Sequence, residues 1–189
     1  MLISPAMNQG LREARFAGDG PLDAAGVRQA RAAAAQVPDA DRYVAGPSRR
    51  CAATADALGI DCVVEPALRD WELGGWAGER LDTVAAREPD AVADWLADPG
   101  AAPHGGESLL ALCARAGAWL DALAADGAAA RDRMLAVAEP AVVRAAAVHA
   151  LGLPVAAFWR LDVPPLTLTE LGGRPGRWNL RCGRPLAPR

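Results

Sequence analysis

Apolar positions along the chain fall into short runs separated by alanine-rich stretches of helical spacing, and this alternation continues from one end to the other. Leu2, Ile3 and Ser4 read as a buried strand closed by Pro5, which cannot donate a ladder hydrogen bond. After a polar loop, residues 23–36 open with the N-cap type Asp23 and predict a helix. Residues 42–45 predict the next strand, Gly46-Pro47 a turn, and 48–58 a helix with proline near its start. Residues 62–64 form a third apolar run. The stretch 81–96 reads as one or two short helices interrupted at Pro89, and 98–106 as a Pro/Gly connector. Leu109, Leu112, Cys113, Ala116, Leu120 and Leu123 recur at helical spacing, which predicts a long helix over 107–125. A strand at 134–138, a helix at 141–151 ended by Gly152 and Pro154, and closing strands at 166–171 and 177–180 complete the pattern. Strands alternating with helices predict an α/β fold, a three-layer α/β/α sandwich around a mostly parallel central sheet. The expectation is one domain over 1–189, with 81–106 as a small helical cover.

Composition narrows the chemistry. The 189 residues are 52% apolar and 23% charged with a net charge of −3, which fits a globular chain and argues against nucleic acid as a partner. All 20 basic residues are arginine. Without a lysine amine, Schiff-base catalysis, pyridoxal-phosphate attachment and a P-loop are excluded. Cys51, Cys62, Cys113 and Cys182 form no C-x-x-C pair and read as reduced, small core residues. The start MLISPAMNQG has no basic segment ahead of a long apolar one, and no uncharged run approaches the roughly 18 residues of a membrane helix. A cytoplasmic protein without membrane association is expected.

In open parallel sheets, ligands sit beyond the carboxyl ends of the strands, so the informative residues follow Ile3, Ala45, Val64 and Ala138. One irregular loop, LRDWELGGWAGE, mixes tryptophan, glycine and acids as no regular element would. The segments RYVAGPSRRCAATADALG, EPALRDWELGGWAGE, HGGESL, AVVRAAAVHALGLPVAAFWRLD and TLTELGGRPGRWNL, in this order, resemble the histidine phosphatase superfamily, the phosphoglycerate-mutase-like enzymes. The resemblance runs from about Leu2 to Leu180 and implies that family's fold. It also implies a pocket. In the family, an Arg-His-Gly ends the first strand and its histidine attacks phosphorus, while a second histidine follows the last parallel strand. These positions fall on Ser4, Pro5 and Ala6, and on Glu139 with Pro140 behind it. The family's helix arginine falls on Arg50, its loop acid on Asp70, and a phosphate-contacting asparagine on Leu11. Arg12, Glu13, Arg15, Phe16 and Gly18 match common family letters.

Proline has no lone pair with which to attack phosphorus. Loss of a catalytic nucleophile costs about 10⁶ in turnover in a well-studied hydrolase, so the parent chemistry is expected to be lost. Arg50, Asp70 and Glu139 together carry one net negative charge, which predicts repulsion of a phosphate dianion. Glu139 is expected to take the place of bound phosphate by forking onto Arg50. Arg12, Arg15, Trp71, Glu72 and His104 are expected at the pocket rim.

Other residues offer weaker chemistry. His149 lies ten residues past Glu139 on one predicted helix, about 15 Å along its axis and out of reach. His104 reads as a solvated loop histidine, and Ser4 has no base beside it to make it a nucleophile. Asp70, Glu72 and Glu139 could converge on a metal, but acids near arginine more often form a salt-bridge network, and no metal or cofactor is expected. Glu107-Ser108 reads as a helix cap, and Trp95, Trp119, Trp159 and Trp178 as core or interface. The functional expectation is a catalytically inactive relative whose remodelled pocket takes a neutral or cationic, non-phosphate small molecule, or which serves a regulatory or partner role. The alternative is a weak or altered phosphomonoester hydrolase using Asp70, Arg50 and water. Self-association stays open.

Overall fold

The computed structural model describes residues 1–16, 19–125 and 132–186. Six strands form one sheet in the order β3-β2-β4-β1-β5-β6, with β1 Leu2–Ile3, β2 Arg42–Ala45, β3 Val63–Val64, β4 Met134–Val137, β5 Thr167–Arg174 and β6 Arg177–Pro185. The pairs β1/β4, β2/β4 and β2/β3 are parallel, while β5 and β6 add antiparallel strands beside β1. This is the expected mixed α/β sheet flanked by helices.

Burial explains the layering. In the central strands, neighbouring residues serve opposite faces, because side chains alternate across a strand. Leu2 and Ala136 join the apolar cluster on one face, and Ile3 and Leu135 join the cluster on the other. Both faces are covered, so β4 is a continuous apolar run rather than an alternating one. Helices α6 (Leu109–Ala125) and α7 (Pro140–Ala150) pack against each other, as do α2 (Ala24–Ala33) and α3 (Arg49–Leu58). Alanine at Ala30, Ala33, Ala145 and Ala146, all fully buried, lets helix backbones approach closely while favouring the helix itself.

Local signals locate most ends. Asp23 caps α2 by accepting from the Gly26 amide at 2.6 Å, and Ser48 caps α3 by accepting from the Cys51 amide at 3.1 Å. Pro89 splits the 81–96 stretch into α4 (Leu81–Arg87) and α5 (Pro89–Ala97). Two features depart from expectation. The loop after β1 contains a short helix, α1 (Gln9–Arg12), started by the Asn8 side chain accepting from the Leu11 amide at 2.9 Å. The closing strands also run past 171 and 180 into the exposed segments 172–174 and 181–185, where backbone pairing, not an apolar pattern, holds the ladder.

The cysteines are less uniform than expected. Cys51 and Cys113 are buried, but Cys62 is half-buried and Cys182 exposed on β6. Among the described residues no helix is long and apolar enough to cross a membrane.

Candidate functional site

Register brings the site together. Ile3 pairs with Val137, and Val137 with Ala45, so the chain leaves β1, β2 and β4 at a common edge. The exits are Ser4-Pro5, Gly46-Pro47 and Ala138-Glu139. The N-termini of α3 and α7 lie just beyond the last two, which points their unpaired amides and partial positive charge toward this edge.

At its floor, Arg50 Nη1 donates to Glu139 Oε2 at 2.8 Å, with the two side chains only 8% and 6% exposed. The second carboxylate oxygen accepts from the Ser48 hydroxyl at 2.9 Å. The pair is therefore not a fork: Glu139 divides its two oxygens between the first turn of α3 and the serine that caps it. The rest of the guanidinium is also engaged, Nε donating to the Ala6 carbonyl at 2.9 Å and Nη2 to the Pro5 carbonyl at 3.3 Å. Thr54 receives the Ala6 amide at 3.0 Å and returns its hydroxyl to the Arg50 carbonyl at 2.8 Å. All three nitrogens of Arg50 are thus engaged by the chain itself.

Ser4, Pro5 and Ala6 are buried beneath this network. The Ser4 hydroxyl donates to the Pro164 carbonyl at 2.5 Å and accepts from the Thr167 amide at 3.0 Å, a structural role that ties β1 to the start of β5.

Above the floor lies a cleft of about 260 Å³ whose walls include Asn8, Leu11, Arg15, Asp70, Trp71 and Arg144. Asp70 comes from the tryptophan-rich loop. Arg115 on α6 staples that loop by donating to the carbonyls of Ala67 at 2.8 Å and Arg69 at 2.9 Å, while gripping both oxygens of Glu107 at 2.7 and 2.9 Å. Glu107 therefore is not a helix cap but an anchor for Arg115; Ser108 alone caps α6, accepting from the Ala111 amide at 3.2 Å. Burial, and next the charge of Glu139, push the Asp70 carboxyl up to about 7, opposed by the Trp71 amide, Arg50 and Arg115.

Several rim expectations need correction. Arg15 and Trp71 line the cleft, whereas Arg12, Glu72 and His104 do not. Arg12 is drawn away to Asp23 at 2.6 Å, and Glu72 lines a neighbouring hollow that shares Asp70, Trp71 and Leu73 with the cleft. His104 is buried, not solvated, with its ring 5.2 Å from that of Trp76. Its Nδ1 accepts from the Gly106 amide at 3.0 Å, which leaves the proton on Nε2, and burial lowers its pKa. His149 faces Asp121 at 2.9 Å between α7 and α6. Among the described residues no cluster of three His, Cys, Asp or Glu could hold a metal, and Asp70, Glu72 and Glu139 form none. Gly18 lies outside the described residues.

Charge is corrected too. The cleft walls carry Arg15, Arg50 and Arg144 against Glu139 and a partly protonated Asp70, so positive charge is in excess where a net negative one was expected. Arg144 escaped the sequence reading, although its place four residues after Pro140 on α7 sets it on the same helix face as the cleft-lining Pro140. Trp95 and Trp159, expected as core or interface, also line the cleft; Trp95 meets Trp71 at 5.2 Å and Trp159 at 4.7 Å between ring centroids. Phe16 and Phe158 complete that aromatic wall.

Comparison with known proteins agrees with this architecture. A mycobacterial glucosyl-3-phosphoglycerate phosphatase solved with VO3 is 29% identical, with a TM-score of 0.82 and 97% of each chain covered. A protein described as mycobacterial hydrolase 1 is also 29% identical, with a TM-score of 0.79, over 95% of this chain and 94% of that one. A putative alpha-ribazole-5'-P phosphatase from Escherichia coli shares the fold at a TM-score of 0.85 and 19% identity, over 98% and 95% of the two chains. No curated protein sequence matches the chain. The sequence profile of the histidine phosphatase superfamily, branch 1, matches residues 6–183, and the chain belongs to that superfamily.

Proposed function

We propose that this chain is a catalytically inactive member of its superfamily, a pseudo-phosphatase whose cleft has been rebuilt for a non-phosphate ligand or for a regulatory or partner role. The observation that carries this reading is the buried Arg50–Glu139 pair at 2.8 Å. The carboxylate occupies the guanidinium that an arriving phosphoryl group needs, and the remaining nitrogens of Arg50 are held by the Pro5 and Ala6 carbonyls. The reading takes Pro5 and Glu139 as the positions where the family places its two histidines. Neither His104 nor His149 lines the cleft to replace them. A nucleophile missing at that point leaves no route to a phosphoenzyme.

The deciding experiment incubates the full chain with p-nitrophenyl phosphate and follows both nitrophenolate release and acid-labile phosphate on the protein. The expected result is neither signal above the buffer blank. Turnover that Arg50→Ala abolishes would overturn the proposal.

One observation favours the hydrolytic alternative. A carboxyl pushed up to about 7 is poised to exchange a proton near neutral pH, and Asp70 lines the cleft. In that reaction a water oxygen forms the new bond to phosphorus, the ester P–O bond breaks as the Asp70 carboxyl protonates the leaving oxygen, and the proton lost by the water returns through solvent to the Asp70 carboxylate. Slow release of nitrophenolate with no phosphoprotein, lost in Asp70→Asn, is its signature.

A further inference from the structure

Arg144 is the cationic group of the cleft that the chain leaves unspent. None of the ion pairs among the described residues engages it. Its Nε is sealed from water with no hydrogen-bond partner among the described residues. Its guanidinium carbon lies 5.6 Å from the centre of the Phe158 ring, a cation–π placement against the aromatic wall. The other two arginines of the cleft are spoken for. Arg50 is held as described, and Arg15 Nε donates to Glu13 at 2.7 Å while its Nη1 donates to the Gly78 carbonyl at 2.9 Å.

A half-buried guanidinium that makes no ion pair, with Asp162 acting on it only at longer range, is a binding group, because an anion that meets it gains a charge-assisted, two-point hydrogen bond in a partly dry setting. The surroundings select the anion. Leu11, Leu73, Trp71, Trp95 and Trp159 give the cleft an apolar, ring-lined wall, the kind of surface on which a flat apolar body stacks. Asp70 and Glu139 line the same space. A dianion would bring a second negative charge to them with no second free cation to meet it, whereas a planar monoanion matches the single guanidinium. A cationic ligand would face Arg144 uncompensated.

We infer that the cleft binds a small aromatic carboxylate, its carboxylate on Arg144 and its ring against the tryptophan wall. This deepens the pseudo-phosphatase reading and rests on it, and it replaces the expectation of a neutral or cationic ligand with an anionic one. At about 260 Å³ the space suits a ligand of one or two rings.

The test is a calorimetric titration of the full chain near pH 7 with benzoate, benzamide and phenyl phosphate as matched probes. Benzoate is expected to bind saturably, and benzamide, which keeps the ring and loses the charge, about tenfold or more weakly. Phenyl phosphate is expected to bind less tightly than benzoate. Arg144→Gln is expected to lower benzoate affinity about tenfold or more, with Arg144→Lys between the two. Equal binding of benzoate and benzamide, no saturable benzoate binding up to about 10 mM, phenyl phosphate binding tighter than benzoate, or an unchanged affinity in Arg144→Gln would each overturn the inference. The wild-type probe series decides the matter even if the Arg144 variants fold poorly. Failure here with no nitrophenolate release leaves the inactive reading standing, while turnover of p-nitrophenyl phosphate removes that reading itself.

Discussion

Gly74 and His104 make a backbone-to-backbone contact so close that a β-carbon on the glycine would lie 2.0 Å from the His104 carbonyl oxygen. Gly74 also holds a left-handed φ of 45°, and the amide of its neighbour Gly75 donates to that same carbonyl at 2.8 Å. The tryptophan-rich loop is thereby pinned to the 104–106 connector, which sets where Trp71 and Asp70 meet the cleft. Gly74→Ala is expected to lower stability by about 2 kcal/mol or more, from a strained φ and a backbone clash that no side-chain rotation relieves. In a chain of this length that is a fall of about 4 °C or more in Tm, read by thermal melting. An unchanged Tm would show that the connector moves freely away.

Glu139 and Arg50 offer a second test. Removing one partner of a buried ion pair leaves an uncompensated charge, so Glu139→Ala is expected to cost about 3–5 kcal/mol in chemical denaturation. The double variant Arg50→Met/Glu139→Leu removes both charges and is expected to be more stable than the single one. Recovery stays partial, since the Pro5 and Ala6 carbonyls lose the donors that Arg50 supplied. Loss of less than about 1 kcal/mol in Glu139→Ala would mean that water reaches Arg50 readily.

The pH dependence of stability has a sign set by Asp70. Burial and Glu139 raise its carboxyl from 3.8 to about 7, so between these values the folded chain binds the proton more tightly than the unfolded chain does. Stability then declines as pH rises through this window, by at most about 1.4 kcal/mol per pH unit, and the penalty is complete above it. Asp23, Glu13, Glu79, Glu88 and Asp82 act oppositely, since hydrogen bonds to arginine and other donors hold their carboxyls below the usual range. Their contribution is lost in more acidic solution. Denaturation of wild type and Asp70→Asn across pH 4 to 8 separates the two effects: the variant is expected to lack the decline toward neutral pH.

Thiol chemistry distinguishes the four cysteines. Burial pushes the thiols of Cys113 and Cys62 up to about 11, and that of Cys51 further still, with Glu139 adding its charge there. Thiolate is the reactive species. In native protein, Ellman's reagent is expected to modify Cys182 promptly and the other three only after denaturation. Rapid reaction of Cys51 would indicate that the cleft floor opens.

The sequence by itself determined the fold class and most of the elements, because Leu2-Ile3 closed by Pro5, the capped helix after Ser48 and the break at Pro89 are local signals whose causes lie within a few residues. It also carried the resemblance by which Ser4, Pro5 and Ala6 are taken as the family's nucleophile positions, since that is a matter of residue identity. Tertiary structure decided the charge of the cleft and what shapes it. Arg144 reaches the wall from the second turn of α7, and Arg12 is diverted to Asp23. Glu107 turns from its own helix start to Arg115, and His104 disappears among three tryptophans brought together from the loop of Trp71 and Trp76 and from α5. Which partner a charged side chain finds depends on distances of a few ångströms set by how loops and helix ends fold back on one another, and spacing along the sequence does not encode those distances.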